Sequence, residues 1–306
     1  MDDATFQRLI KRQIYECRWS DIAVRWLNFI PSIDPPGSPP DASLSDVIGL
    51  TTLAASISDF AVPVKAEVPG LREYVLREAI YLLHKASHVA GCAEIQARQG
   101  YKTWSLANAY QSSFFGAKAI LFFCGIALTD YENRAILIDI FPKEEDRQKR
   151  QKRKLKLLDD PAIQLTRLNM KFEHRHVWFI FQKLLDLFQM NVWQDTYIQA
   201  LRKLEVKEFA KQRNELQYKN CAWIFDDLHE CVVDLSFGSH PKDMEQSLAY
   251  ALESDFSLSL SIAILRMGIL LLESISESTN TLKTEIQIVK NVLTAERHPL
   301  YLEAYP

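Results

Sequence analysis

Apolar residues recur every three or four positions over most of the chain. Between residues 5 and 30 they fall at Phe6, Leu9, Ile10, Ile14, Trp19, Ile22, Ala23, Trp26, Leu27 and Ile30, the stripe of an amphipathic helix. Prolines 35, 36, 39 and 40 with Gly37 follow. They remove backbone donors and fix φ, which predicts a linker or an extended crossing over 31–40. Ser43 is placed to cap a helix over 43–60, and AVPVKAEVPG (61–70) breaks the helical pattern. The longest periodic run is LREYVLREAIYLLHKASHVAGCAEIQAR, residues 71–98, with Gly100 placed to end it. A second helix is expected from Lys102 to about Leu128. Its portion SLANAYQSSFFGAKAILFFCGIAL is apolar on most faces and rich in small residues. Small residues let neighbouring helices approach closely, so this helix is expected at the centre of the fold. Further helices are expected over 162–190, 194–220 and 243–276, with a turn or two more over 276–293. The best strand signal, WIFDDLHECVVDLSF (223–237), fits a continued helix equally well.

Composition agrees with a helical reading. The chain has 306 residues, enough for two domains or one enlarged domain, and only 9 are glycine. So few glycines argue against a many-turned β-sandwich or a glycine-rich nucleotide-binding sheet. The expected class is therefore all-α, or mainly α. A net charge of −3 offers no general attraction to nucleic acid or membrane, so any such contact requires a local patch. The five cysteines are scattered without a C-x-x-C, and the first residues lack an apolar leader, which together suggest reduced thiols in the cytoplasm. The most apolar stretch, Leu258–Leu272, contains Ser259, Ser261 and Arg266. At 15 residues it is too short for a bilayer and reads as a buried core helix, so no membrane contact is expected. Phosphate-loop, dinucleotide and nucleophile-elbow motifs do not occur, which disfavours the enzymes built on them.

The segment LREAIYLLHKASHVAG, a Gly-Tyr turn, and then ANAYQSSFFGAKAILFFCGI resembles the HEPN superfamily of helical proteins. The matching positions are Ala109, Tyr110, Phe114 or Phe115, and Ala117-Lys118-Ala119-Ile120-Leu121. The resemblance covers about 60 residues directly, extends weakly to 205–275, and implies a HEPN-like helical bundle. On that reading residues 1–60 are an N-terminal helical arm with its Pro-rich linker, and 61–128 are the first half of the bundle. Residues 129–199 are then a helical insertion with a basic loop, and 200–306 the second half and tail. The family is common in prokaryotic toxin–antitoxin, anti-phage and RNA-processing systems and often dimerises. The resemblance therefore implies partner protein subunits, in a homodimer or hetero-oligomer, and contact with RNA or DNA.

HEPN ribonucleases carry an Arg followed after four to six residues by a His. Here Arg213 and Asn214 fit that pattern, but Tyr218 stands in the His position. A metal-free ribonuclease needs a group that exchanges protons near pH 7. Tyrosine, with a pKa of about 10, is a poor base there. Positions 213 and 218 also diverge by about 140° on an ideal helix. The departure favours a binding subunit without full catalytic machinery. The alternatives are a metal-independent endoribonuclease, with Arg213 stabilising the phosphorane and Tyr218 or His174 orienting or protonating, and an unrelated helical interaction protein. Arg77/His84 and Arg167/His174 also have Arg–His spacing, seven residues apart, which places each pair on one helical face.

The strongest electrostatic feature is the run from Arg147 to Lys156, with seven cations in ten residues and no acid. Arg147, Lys149, Arg150, Lys152, Arg153 and Lys154 are the candidate phosphate contacts. The run lacks interleaved aromatics, so base stacking is not implied. No metal site or cofactor is expected. Cys221, His229, Glu230 and Cys231 lack the spacing of a zinc site. His174 and His176 diverge on a helix, and Asp159-Asp160 and Asp226-Asp227 suit caps or turns. The aromatics of 172–197 read as core that leaves an apolar face for a partner.

Overall fold

A computed structural model describes residues 22–23, 25–26, 44–48, 63–66, 68, 70–99, 101–131, 133–141, 143–145, 155–157, 163–187, 196–205, 209, 256–276 and 282–295. Its described part is 74% helical, so the mainly-α expectation holds. The elements in chain order are α1 (Leu44–Ile48), β1 (Pro63–Ala66), α2 (Leu71–Arg98), α3 (Lys102–Phe123), β2 (Ile126–Tyr131) and β3 (Arg134–Asp139). Then come β4 (Lys143–Glu145), β5 (Leu155–Leu157), β6 (Ile163–Arg167), α4 (His174–Leu187), α5 (Thr196–Lys203), α6 (Phe256–Ser276) and α7 (Lys283–Ala295).

Helices α2 and α3 form the antiparallel pair that the sequence predicts. The inner face of α2 narrows to alanine from Ala86 onward, at Ala90, Ala93 and Ala97, all buried. Alanine brings the two backbones close without loss of helix propensity. Asn108 Nδ2 donates to Gln96 Oε1 at 2.7 Å near the turn, and Ser112 Oγ donates to the Ala86 carbonyl at 2.8 Å further along.

The third core helix, α6, packs on both. Ser261 Oγ donates to Ser112 Oγ at 2.7 Å, so a short chain of hydrogen bonds runs from α6 through α3 to α2. Glycines mark the closest approaches. A Cβ on Gly116 would lie 2.7 Å from Ile264 Cγ2, and one on Gly268 would lie 2.8 Å from Leu83 Cδ1. By length and hydropathy α6 is able to cross a membrane, yet 72% of its apolar window is buried inside the protein, as in a core helix.

The region after α3 departs from expectation. The helix predicted to Leu128 stops at Phe123, and the expected helical insertion begins with strands. Gly125, at φ +81°, reverses the chain; its N–H donates to the Phe122 carbonyl, and its carbonyl accepts from Ile140 N–H. A side chain there would meet Phe141 at 2.5 Å. Beyond it, β2 and β3 pair as a hairpin from Ile126↔Asp139 to Tyr131↔Arg134, with Asn133 at φ +59° in the turn. A primed two-residue turn favours Asn with positive φ. Strands β1, β6, β3 and β2 lie in that order in one antiparallel sheet, and β4 pairs with β5 separately. The helix expected over 162–190 is thus divided into strand β6 and helix α4. The helix expected over 194–220 is interrupted at 204–205, where Gln182 Nε2 takes the Leu204 carbonyl at 2.7 Å.

Sheet and bundle share one core. Arg72 Nε at the start of α2 donates to the Ile140 carbonyl after β3. Residues 22–26 are helical where described. Ile22 and Trp26 are buried in the same core, so this part of the expected arm is not separate from the bundle. Trp26 Nε1 donates to the Phe123 carbonyl at 2.7 Å, and its ring meets Phe141 edge-on.

Replacing Gly116 with Val should lower stability by about 1–3 kcal/mol, because α6 must move off α3 to admit the side chain. Urea unfolding followed by circular dichroism measures this. An unchanged midpoint would contradict the close three-helix seam.

Candidate functional site

The described residues that best combine positioned chemistry with accessibility lie where β6 passes into α4. Helix α4 starts at His174, and its apolar positions Val177, Trp178, Phe181, Leu184 and Leu185 are buried against the bundle. This face holds the imidazole of His174 against α3. Tyr110, almost fully buried, places its hydroxyl 3.3 Å from His174 Nδ1 and accepts from Trp178 Nε1 at 3.3 Å. The indole fills one lone pair of that oxygen, and the Tyr110 hydroxyl, with a second lone pair and its proton, meets His174 Nδ1 in either imidazole tautomer. The imidazole also stacks on Phe114 with ring centres 4.0 Å apart. Trp178 in turn stacks on Phe209 at 4.8 Å. One turn of α4 is closed by Glu173 N–H donating to His176 Nδ1 at 3.1 Å, and by His176 N–H donating to the Glu173 carbonyl.

Cations gather at the same end of the sheet. The pair Ile136↔Arg167 sets the register of β3 and β6. Arg134 and Arg167 therefore lie diagonally across adjacent strands on one sheet face. The turn after β6 is bound to β3 by Leu168 N–H to the Ala135 carbonyl and Ala135 N–H to the Met170 carbonyl. Exposed Lys171 follows, and exposed Arg175 makes a 2.8 Å ion pair with Glu173. Helix α4 begins here, its first turn closed by the Glu173–His176 hydrogen bonds. Together these groups can neutralise and orient phosphate oxygens beside an imidazole whose ring is fixed.

The two Arg–His pairs fare differently. Arg77 and His84 lie on α2, one face of one helix, as their spacing predicts. His84 Nε2, however, faces Glu285 Oε2 of α7 at 3.2 Å, and its ring meets Tyr81 edge-on, so it serves a helix–helix contact. Burial holds the His84 pKa below the usual histidine value, although Glu285 acts in the opposite direction. Arg167 and His174 do not share a helical face, because Arg167 is in strand β6; the fold still brings both to the β6–α4 junction. Arg213, Asn214 and Tyr218, and the run Arg147, Lys149, Arg150, Lys152, Arg153 and Lys154, lie outside the described residues. So do Cys221, His229, Glu230 and Cys231. Among the described residues, no three His, Cys, Asp or Glu groups are placed to hold a metal ion.

Sequence reasoning passed over Tyr110 and Arg134 as site residues. Tyr110 reads as core on the helical pattern, and only its hydroxyl hinted that a polar partner would be needed at depth. Arg134 follows Asn133 in a hairpin that the helical reading hid.

Tyr110→Phe should cost about 1–3 kcal/mol, because Trp178 Nε1 keeps its burial and loses its acceptor. The same change removes the hydroxyl partner of His174 Nδ1, visible as altered imidazole nitrogen shifts in NMR. Unchanged shifts would mean that the hydroxyl does not orient the ring. His84 has a separate signature. Its folded pKa lies below the unfolded value of about 6.5, so the unfolded chain binds the proton more readily. The His84 contribution is complete above that value and is lost as pH falls through it. Between pH 7 and 5, His84→Gln should therefore lose less stability than the wild type, as read from urea midpoints across the series.

Comparison with protein-family models, with curated proteins and with solved structures yields no match, so the functional reading rests on the residues and geometry above.

Proposed function

We propose that this chain is a HEPN-like helical subunit that binds partner proteins and the phosphate backbone of RNA or DNA, without full catalytic machinery. The observation that carries the nucleic-acid part is the gathering of Arg134, Arg167, Lys171 and Arg175 at the β6–α4 junction, beside a helix start and an oriented imidazole. Phosphate contacts of this kind give affinity without sequence preference. The run Arg147–Lys154, between β4 and β5 in the chain, supplies a second set of cations. Protein binding is supported by the tip of the α2–α3 hairpin, where Ile95, Tyr101 and Trp104 are 40%, 57% and 54% exposed. Large apolar side chains grouped in the open favour a partner surface. The absence of catalysis is supported by Tyr218 in the histidine position of the family motif. A role in a prokaryotic defence or toxin–antitoxin assembly follows from the resemblance of residues 71–128.

One observation favours the enzyme alternative. His174, held by Tyr110, is a positioned proton-exchanging group next to phosphate-binding cations. In that reading Arg213 stabilises the phosphorane and His174 moves the proton.

Fluorescence anisotropy with labelled single-stranded RNA and DNA over a salt series tests the proposal. Wild type should bind with affinity that falls steeply with salt. Changing Lys149, Arg150, Lys152 and Arg153 to Glu should abolish binding or reduce the salt slope by roughly 0.7 per lost contact. Lys171→Glu with Arg175→Glu should weaken it further. A wild-type protein that fails to bind at low salt overturns the nucleic-acid reading. RNA cleavage in EDTA, lost in Arg213→Ala, would establish the enzyme instead.

A further inference from the structure

A pair of soft metal donors stands on the outer side of α2, apart from the cations at the sheet end. His88 and Cys92 are four residues apart, a spacing that sets two side chains on one helical face, one above the other. His88 is exposed and Cys92 is half-buried. Cys92 is a free thiol, and its Sγ lies 3.9 Å from His88 Nε2. Among the described residues no other hydrogen bond, ion pair or ring contact holds either side chain, so both donor atoms are open to a ligand.

The separation of the two donors suits a tetrahedral ion. Zinc takes thiolate sulfur at about 2.3 Å and imidazole nitrogen at about 2.0–2.1 Å, and a tetrahedral angle between those bonds sets the donors about 3.6 Å apart. A small torsion of either side chain closes the difference from 3.9 Å. Donors four residues apart on a helix are also the arrangement by which helical zinc sites grip their ion. Sulfur with imidazole selects zinc-like ions, whereas calcium and magnesium require oxygen ligands. Two donors do not complete the site. A closed tetrahedral site needs four protein ligands, and among the described residues no third His, Cys, Asp or Glu joins the pair. A second copy, related by a two-fold axis through the ion, presents the same two donors again, because a two-fold interface sets one patch against itself. The surface around the pair suits that approach. The partly or fully exposed side chains described from His88 to Gln99 are Val89, Ile95, Gln96 and Gln99 besides the pair, and none carries a formal charge; Glu94 is buried. Two such faces meet without like-charge repulsion, and Ile95, three residues beyond Cys92 and 40% exposed, gains an apolar contact.

We propose that His88 and Cys92 form half of a zinc site, which the same two residues of a second copy complete into a centre of two thiolates and two imidazoles joining the chains through α2. Each thiol releases its proton to solvent as its sulfur binds the ion. Each imidazole binds through Nε2 and keeps its proton on Nδ1. The ion changes no oxidation state, so no further reactant is required. The site uses none of the sheet-end cations and stands whether or not the chain binds nucleic acid.

The test uses the full chain, kept reduced with a phosphine and stripped of metal with EDTA that is then removed. Isothermal titration with zinc should return half an ion per chain, and light scattering should show the mass doubling. Cobalt in place of zinc should give a thiolate charge-transfer band in the near ultraviolet with the visible bands of a tetrahedral ion. Affinity should fall as pH drops, because protons compete with the ion for sulfur and imidazole. Cys92→Ser and His88→Ala should each weaken binding by tenfold or more and keep the metal-free mass. Both side chains reach solvent, so both variants should stay folded, and circular dichroism checks that. Magnesium should neither bind nor change the mass. One zinc ion per chain, a mass that zinc does not change, or a cobalt–thiolate band that persists in Cys92→Ser overturns the site.

Discussion

The fold depends on how closely three helices can approach. Helices α2, α3 and α6 meet at Ser112, where one hydroxyl donates to the Ala86 carbonyl and accepts from Ser261. Gly116 and Gly268 remove the side chains that would otherwise hold the helices apart. Each such buried hydrogen bond contributes only about 1 kcal/mol. Its larger effect is on register, because a donor buried without its acceptor costs more than the bond contributes. Ser112 therefore selects one sliding position for α2 against α3. The seam fixes which side chains line up, and the aromatic site inherits its geometry from it.

From this seam the order of the rest follows. Helix α3 places Tyr110 and Phe114 on the side to which α4 docks, and Trp178 and His174 of α4 complete an aromatic cluster around one hydroxyl. On the opposite end of α3, Gly125 turns the chain into the hairpin of β2 and β3. The sheet then returns the chain through β6 to the start of α4, beside the imidazole. A bundle element thus sets the ring and a sheet element brings the cations. Neither alone would put the cations and the His174 ring at one junction.

The helical pattern was most legible where apolar and polar residues alternate with period 3.6. Helix α2 runs over Leu71–Arg98, as its periodicity and Gly100 predict. It was least legible where the pattern saturates. The stretch from Ala119 to Leu128 is almost wholly apolar, and a buried strand and a buried helix look alike in such a run. Gly125 and Asn133 carried the missing signal, since both support positive φ, and the short apolar run Ala135–Ile138 between Arg134 and Asp139 has the length of a buried strand. Residues 163–187 hold a strand and a helix without a Gly or Pro between them, so Arg167 and His174 were assigned to one face that does not exist. The sheet-end site was legible only in part: His174 and the nearby cations stood out as titratable and charged groups, while Tyr110 was indistinguishable from core.

By itself the sequence determined what depends on near neighbours along the chain. That includes the mainly helical class, the α2–α3 hairpin with its short turn, and the small-residue face of α3 with its central place. Only the tertiary structure decided what depends on residues far apart. His174 meets Tyr110 across 64 positions, Ser261 meets Ser112 across 149, and strand register sets Arg134 diagonally from Arg167. Periodicity reports which side of an element is buried, because burial recurs with the helical or strand repeat. It carries no information about which distant element covers that side, because any apolar face of the right shape satisfies it equally until hydrogen bonds and close packing select one.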